Sequence, residues 1–171
     1  MDKRKEDRKM STKCKEILEE LAIPCNYIEG HEPVLNYEAA ARVDEQYHLT
    51  GKESKCLMMK TKSGQFVLFV TYEGVRMDRK YMKNLLGEKT SVCSGEELME
   101  VSGYAVGCAS PFAYPDTMKY IVDNRIFGFE KYICSAGTPT ESFEMETHYL
   151  KDIYEKLGCD VTYIDDYPEE V

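Results

Sequence analysis

Two apolar runs separated by four turn residues fix the centre of this chain. Residues 55–60 hold Cys56-Leu57-Met58-Met59, residues 65–71 hold Phe66-Val67-Leu68-Phe69-Val70, and Thr61-Lys62-Ser63-Gly64 lies between them. Short runs rich in apolar, β-branched and aromatic side chains, bounded by turn residues, read as strands. Gly64 supplies the positive φ that a tight hairpin needs. Sheet is therefore the middle of the fold, and the flanking segments have to be read around it.

Those segments alternate in type. Cys14, Ile17, Leu18 and Leu21 recur at helical spacing and predict an amphipathic helix over residues 11–22, with Ser11 as its cap and Pro24 at its end. Cys25 to Glu29 reads as a short strand and residues 30–34 as a connector. Asn36 caps an alanine-rich helix from Tyr37 to about Val43. Asp78 opens a helix that Gly87 closes, and Ser94 with Glu97 forms a capping box for the next. Residues 120–123, 131–134 and 142–146 read as strands. Thr147 is expected to cap a last helix whose stripe is Leu150, Ile153, Tyr154 and Leu157; Gly158 stops it, and residues 160–164 form a final strand. Several strands follow one another through short turns, which predicts an α+β domain with a mixed sheet rather than a doubly wound parallel one. The 171 residues suit a single domain over 11–171, preceded by a charged, solvated tail over 1–10.

Charge and cysteine usage narrow the function classes. The net charge of −9 argues against a general nucleic-acid binder. Two basic clusters, Lys52/Lys55/Lys60/Lys62 and Arg76/Arg79/Lys80/Lys83, leave two readings open: solvated surface, or a local grip on one end of an RNA. Seven cysteines, an odd number with no C-x-x-C pair, suggest neither a disulfide framework nor a zinc site. With no secretory signal in the charged first residues, a cytoplasmic protein is expected. No run approaches the roughly 20 apolar residues of a membrane span.

Familiar site motifs fail. Gly51-Lys52-Glu53-Ser54 resembles the end of a phosphate-binding loop, but position 46 is Gln and Glu53 follows the lysine where Ser or Thr is needed. His31, His48 and His148 lack metal-ligand spacing, so no metal and no cofactor are expected. What remains is Lys55, at the head of its strand, and about fifty residues later the glycine-led segment Gly107-Cys108-Ala109-Ser110-Pro111-Phe112. A lysine facing such a turn can hold an anionic, ester-linked substrate against backbone N–H groups. Cys108 is open to two readings, a nucleophile or a packed structural thiol.

The order of these features resembles the YbaK/prolyl-tRNA-synthetase-associated domain family, over roughly residues 13–165. The matching pieces are Ile23-Pro24 with Tyr27, His31-x-Pro33-Val34 before Glu38-Ala39-Ala40, Lys55 at its strand, and Leu85-Leu86-Gly87. Glu96-Glu97-Leu98, Gly107-x-x-Ser110-Pro111-Phe112 and Ser135-Ala136-Gly137 follow. The resemblance implies a mixed, bifurcated sheet flanked by helices, and hydrolysis of the ester bond of mischarged aminoacyl-tRNA. It implies that Lys55 and Gly107 are the catalytic positions and that His31, Cys108, Ser110, Pro111, Phe112 and Gly137 border the substrate. Implied partners are the aminoacyl-tRNA acceptor end and, as a candidate, prolyl-tRNA synthetase, with no membrane and no DNA. Alanine-directed members carry a histidine where this chain reads Ser135-Ala136-Gly137-Thr138. That places it nearer to members acting on cysteinyl-tRNA of the proline type. A non-catalytic module that binds aminoacyl-tRNA or a synthetase through the same pocket is the alternative.

Overall fold

The structure is a computed structural model that describes residues 13–169. The expected cap Ser11 and the charged tail over 1–10 lie outside the described residues. A helix described over residues 13–20 (α1) leads to β1 (Cys25–Ile28), α2 (Tyr37–Gln46), β2 (Lys52–Thr61) and β3 (Phe66–Tyr72). Then come α3 (Arg79–Leu86), β4 (Thr90–Val92), α4 (Gly95–Ser102), β5 (Lys119–Asp123) and a 3-10 turn (Asn124–Gly128). The chain closes with β6 (Lys131–Ser135), β7 (Ser142–Glu146), α5 (Tyr149–Leu157) and β8 (Asp160–Ile164). The expected mixed α+β single domain is what is observed.

The strands form one sheet in the order β1-β7-β6-β2-β3-β5-β8, with β4 joined to β2 off this path. The β2–β3, β2–β4, β6–β7 and β1–β7 pairs are antiparallel, while β2–β6, β3–β5 and β5–β8 are parallel. The apolar run of β3 is explained by cover on both faces. Leu68 and Val70 enter a core with Leu18, Leu98 and Ile153 from α1, α4 and α5. Val67 and Phe69 enter another with Met82 of α3 and Tyr167. Each such side chain contributes about 1.5–3 kcal/mol on burial.

Local signals hold where the chain dictates its own termini. Asn36, Asp78 and Ser94 cap their helices through side-chain acceptors, and Gly87 and Gly158 end theirs in the left-handed region. One cap differs. His148, not Thr147, occupies the N-cap of α5, without a side-chain bond, because the Thr147 hydroxyl donates to the Phe129 carbonyl instead. The β4 strand and the 3-10 turn have no counterpart in the sequence reading. β2 also begins at Lys52 rather than Lys55, since pairing with β6 draws the polar residues Lys52 and Glu53 into the sheet.

The bifurcation positions the site. One edge of β2 pairs with β3 from Ser54 to Lys60. The other edge meets β6 only at Lys52 and Glu53, then β4 from Met59 to Thr61. Between those contacts β6 and β4 diverge, and residues 54–57 have no strand partner on that edge among the described residues.

Candidate functional site

A cavity of about 450 Å³ fills this gap. Its volume falls in the range of small-molecule sites. One wall is β2 from Glu53 to Met58, and a second is one side of α2 and its cap, with Asn36, Tyr37, Ala40 and Asp44. The β4–α4 junction, Val106 and Gly107, and the end of β6 with the loop after it complete the enclosure. Backbone groups of β2 also reach the cavity. Residues of an antiparallel strand aim their N–H and C=O at alternate edges. The Met58 carbonyl accepts from the Cys93 amide at 2.9 Å on the β4 side. Two residues earlier, Cys56 has the same parity, so its N–H and C=O point into the gap.

Lys55 is half-buried on this wall, and its ammonium donates to the Val75 carbonyl at 2.5 Å. Gly107 lines the same cavity. It is the third residue of a turn closed by the Cys108 amide on the Ala105 carbonyl at 2.9 Å, and its φ is +75°. A turn position of this kind suits glycine, because a β-carbon there crowds the backbone. The closing bond uses the Cys108 N–H, while the Gly107 N–H has no backbone partner among the described residues.

The rest of the glycine-led segment lies elsewhere. Ala109 lines the cavity; Cys108, Ser110, Pro111 and Phe112 are buried and do not. Residues 110–112 form a spine under the turn, held by tyrosine hydroxyls. Tyr114 donates to the Ser110 carbonyl at 2.6 Å, Tyr154 to the Pro111 carbonyl at 2.5 Å, and Tyr104 to the Phe112 carbonyl at 2.8 Å. The Ser110 hydroxyl accepts from the Cys14 thiol, and the Phe112 ring packs 5.7 Å from that of Phe143. Buried polar groups are satisfied in this way at little net cost.

Gly137 and His31 also stand behind the cavity surface. Gly137 has φ +98°, and a β-carbon built on it would lie 2.4 Å from the Tyr104 ring. Its carbonyl accepts from the Ala105 amide at 3.0 Å, so it seats the turn that carries Gly107. His31 is buried, with Nδ1 2.7 Å from the Glu32 carbonyl and Nε2 2.9 Å from the Ser142 hydroxyl. A carbonyl only accepts, so Nδ1 carries the proton; in the neutral ring Nε2 then accepts from Ser142. Ser142 lines the cavity, and His31 ties the 30–36 connector to it.

Two features of the walls went unread in the sequence. The first is a carboxyl pair. Burial pushes the Glu53 carboxyl up to about 9, aided by its hydrogen bond to Asp44 and by the charges of Asp44, Glu73 and Glu144. Burial also raises Asp44. Near neutral pH Glu53 is therefore the protonated partner and Asp44 the acceptor. Glu53 Oε1 is buried without a hydrogen-bond partner among the described residues. The only advance signal was two carboxylates near Lys55, with no reason to place them together. The second feature is sulfur: Cys56, Cys93 and Cys134 line the cavity. Burial raises all three thiols, Cys93 to about 11, so they stay protonated and serve as soft packing. Among the described residues no cluster of His, Cys, Asp and Glu is placed to hold a metal ion, and no helix is long and apolar enough to cross a membrane.

Comparisons with known proteins agree on this frame. The sequence profile of the aminoacyl-tRNA editing domain matches residues 31–153. The uncharacterized protein YwhH of Bacillus subtilis is 22% identical over 109 residues, covering 63% of this chain and 69% of its own. The crystal structure of a candidate trans-editing enzyme for prolyl-tRNA synthetase superposes with a TM-score of 0.72 at 19% identity, covering 92% of this chain and 98% of that one.

Proposed function

The chain belongs to the aminoacyl-tRNA editing domain family, and from that premise we propose that it is a deacylase that hydrolyses the ester of mischarged aminoacyl-tRNA. One observation carries the reading: Lys55 and the Gly107 turn line the same cavity, in the gap that β6 and β4 leave along β2. An aminoacyl ester is already activated, so placing it and stabilising its oxyanion suffices. The Lys55 ammonium, fixed by the Val75 carbonyl, is a compact charge suited to the terminal phosphate or ribose and to orienting the ester. The Gly107 N–H is the donor for the developing oxyanion; one such donor is worth about 10²–10³ in rate. Water is the nucleophile. The buried Glu53 Oε1 offers an acceptor for the amino group of the ester.

Cysteine carried on a proline tRNA is the substrate favoured. The cavity wall is rich in sulfur, with Cys56, Met58, Cys93 and Cys134, and polarizable side chains pack well against a small thiol. Prolyl-tRNA synthetase is the proposed partner that presents the tRNA to a protein of net charge −9. A second reading is favoured by the bond of Lys55 to Val75: a module that binds the aminoacyl end without turnover. A deacylation panel with Cys-, Ala-, Ser- and Thr-charged proline tRNA decides between them. Turnover of the cysteinyl ester above the others is expected, while binding without turnover of any of the four overturns the enzyme reading.

A further inference from the structure

Tyr167 lies beyond residues 31–153, the span that the family profile matches, yet it touches the loop on which Lys55 rests. The chain leaves β8 at Ile164 and runs along the first turn of α3. Asp165 accepts from the Asn124 side-chain amide at 2.6 Å, and Asp166 from the Tyr81 hydroxyl at 2.6 Å. These bonds deliver Tyr167 into a core with Phe69, Val75 and Met82. Its ring lies 5.0 Å from those of Phe69 and Tyr81, and the Arg125 guanidinium stands 5.5 Å from its centre. Arg125 is itself fixed by paired bonds to the buried Asp123 carboxylate, at 3.0 and 2.7 Å. A ring packed on several sides has little freedom, so its hydroxyl is held in place.

That hydroxyl meets the loop before α3 twice. It donates to the Arg76 carbonyl and accepts from the Asp78 amide at 2.6 Å. These two peptide groups flank Met77, so one side chain clamps the backbone on both sides of that residue. The Arg76 carbonyl belongs to the peptide group next to that of the Val75 carbonyl, which accepts from the Lys55 ammonium at 2.5 Å. The other end of the loop is a tight turn. Gly74 has φ +95°, and the Val75 amide donates to the Tyr72 carbonyl at 3.2 Å. Val75 is therefore held by the turn on one side and by Tyr167 on the other, with its own side chain buried in the same core. Phenylalanine at 167 would fill that core equally well; what tyrosine adds is the hydroxyl, and its bonds go to this loop.

We propose that Tyr167 is a positioning residue for Lys55: by clamping residues 76–78 it fixes the Val75 carbonyl, and with it the place where the ammonium meets the substrate. The catalytic side of this rests on the editing reading, which makes Lys55 the charge that orients the ester. A charge displaced by a fraction of its own size loses much of its positioning effect.

Tyr167→Phe keeps the ring and removes the hydroxyl. Its kcat on cysteine-charged proline tRNA is expected to fall roughly 10- to 100-fold, with the loss in kcat rather than in KM. In a Lys55→Ala background the same substitution is expected to change kcat no further, because the two residues act as one unit. Tyr81→Phe, which removes a hydroxyl that meets Asp166 instead of the loop, is expected to lower the Tm but spare kcat. Side-chain ¹⁵N spectra of the lysines read the link without turnover. The ammonium signal that Lys55→Arg deletes is expected to shift in Tyr167→Phe while the other lysine signals stay in place. An unmoved Lys55 signal overturns the proposal. So does an equal loss of kcat in the Lys55→Ala background or in Tyr81→Phe, and so does an unchanged kcat in an active Tyr167→Phe enzyme. A shifted signal in a protein that deacylates none of the four charged tRNAs keeps the link between Tyr167 and Lys55 and removes the editing reading.

Discussion

The ring of Tyr104 lies where Gly137 would carry a β-carbon, 2.4 Å from that position. The Tyr104 hydroxyl reaches on to the carbonyls of Phe112 and Ala113, at 2.8 and 3.2 Å. One glycine after β6 thus lets one buried tyrosine tie the cavity turn to the spine below it.

Gly137→Ala is expected to destabilise the fold by about 2–4 kcal/mol, combining a positive-φ penalty with overpacking. Denaturant unfolding measures this. Because the methyl and the ring compete for one space, Gly137→Ala combined with Tyr104→Leu should cost less than the sum of the two single changes. Strict additivity would show that the ring is not what excludes the side chain.

Gly107→Ala separates geometry from packing. No atom lies within 4 Å of a β-carbon built on Gly107, yet its φ is +75°. The variant should lose only about 1–2 kcal/mol of stability through strain at the turn. Alanine keeps the backbone N–H, so deacylation should fall, by about 10²-fold, only through the shift of that N–H away from the oxyanion as the strained turn relaxes. An unchanged kcat in a variant that shows this loss of stability removes the Gly107 N–H from the chemistry.

Lys55→Ala breaks the bond to the Val75 carbonyl at a cost of about 1 kcal/mol, which leaves the protein folded. Activity on charged tRNA is expected to drop by about 10²-fold or more, since a positioning charge is lost. Circular dichroism and single-turnover hydrolysis, measured on the same preparation, check the two halves together. Full activity in the variant would sink the role given to this lysine.

Glu53 predicts a pH dependence of stability. Its carboxyl moves from 4.5 to about 9 on folding, with Asp44, Glu73 and Glu144 around it and His31 near Asp44. Between these values the folded state keeps a proton that the unfolded chain has released. The contribution is therefore complete below about pH 4.5 and is lost as pH rises toward 9. Glu53→Gln keeps a donor for Asp44 and removes that loss. The Tm of the variant relative to the unaltered protein is expected to climb from pH 5 to pH 8. A difference in Tm that stays flat across this range contradicts a protonated Glu53.

What the sequence by itself determined is what a few neighbouring residues decide: the β2–β3 hairpin with Gly64, the caps at Asn36, Asp78 and Ser94, the helix ends at Gly87 and Gly158, and the α+β class. Caps, turns and periodicity act within about four residues, so they are written locally. Thr147 shows the limit, because its hydroxyl was taken by Phe129 from another part of the chain. Only the tertiary structure decided the gap beside β2, since it depends on how far β6 and β4 each pair with that strand. It likewise decided that Gly107 lines the cavity while Ser110, Pro111 and Phe112 sink into the core, and that Glu53 meets Asp44. Pairing register and burial are settled by groups distant in the chain competing for the same space, and no short stretch of sequence carries that competition.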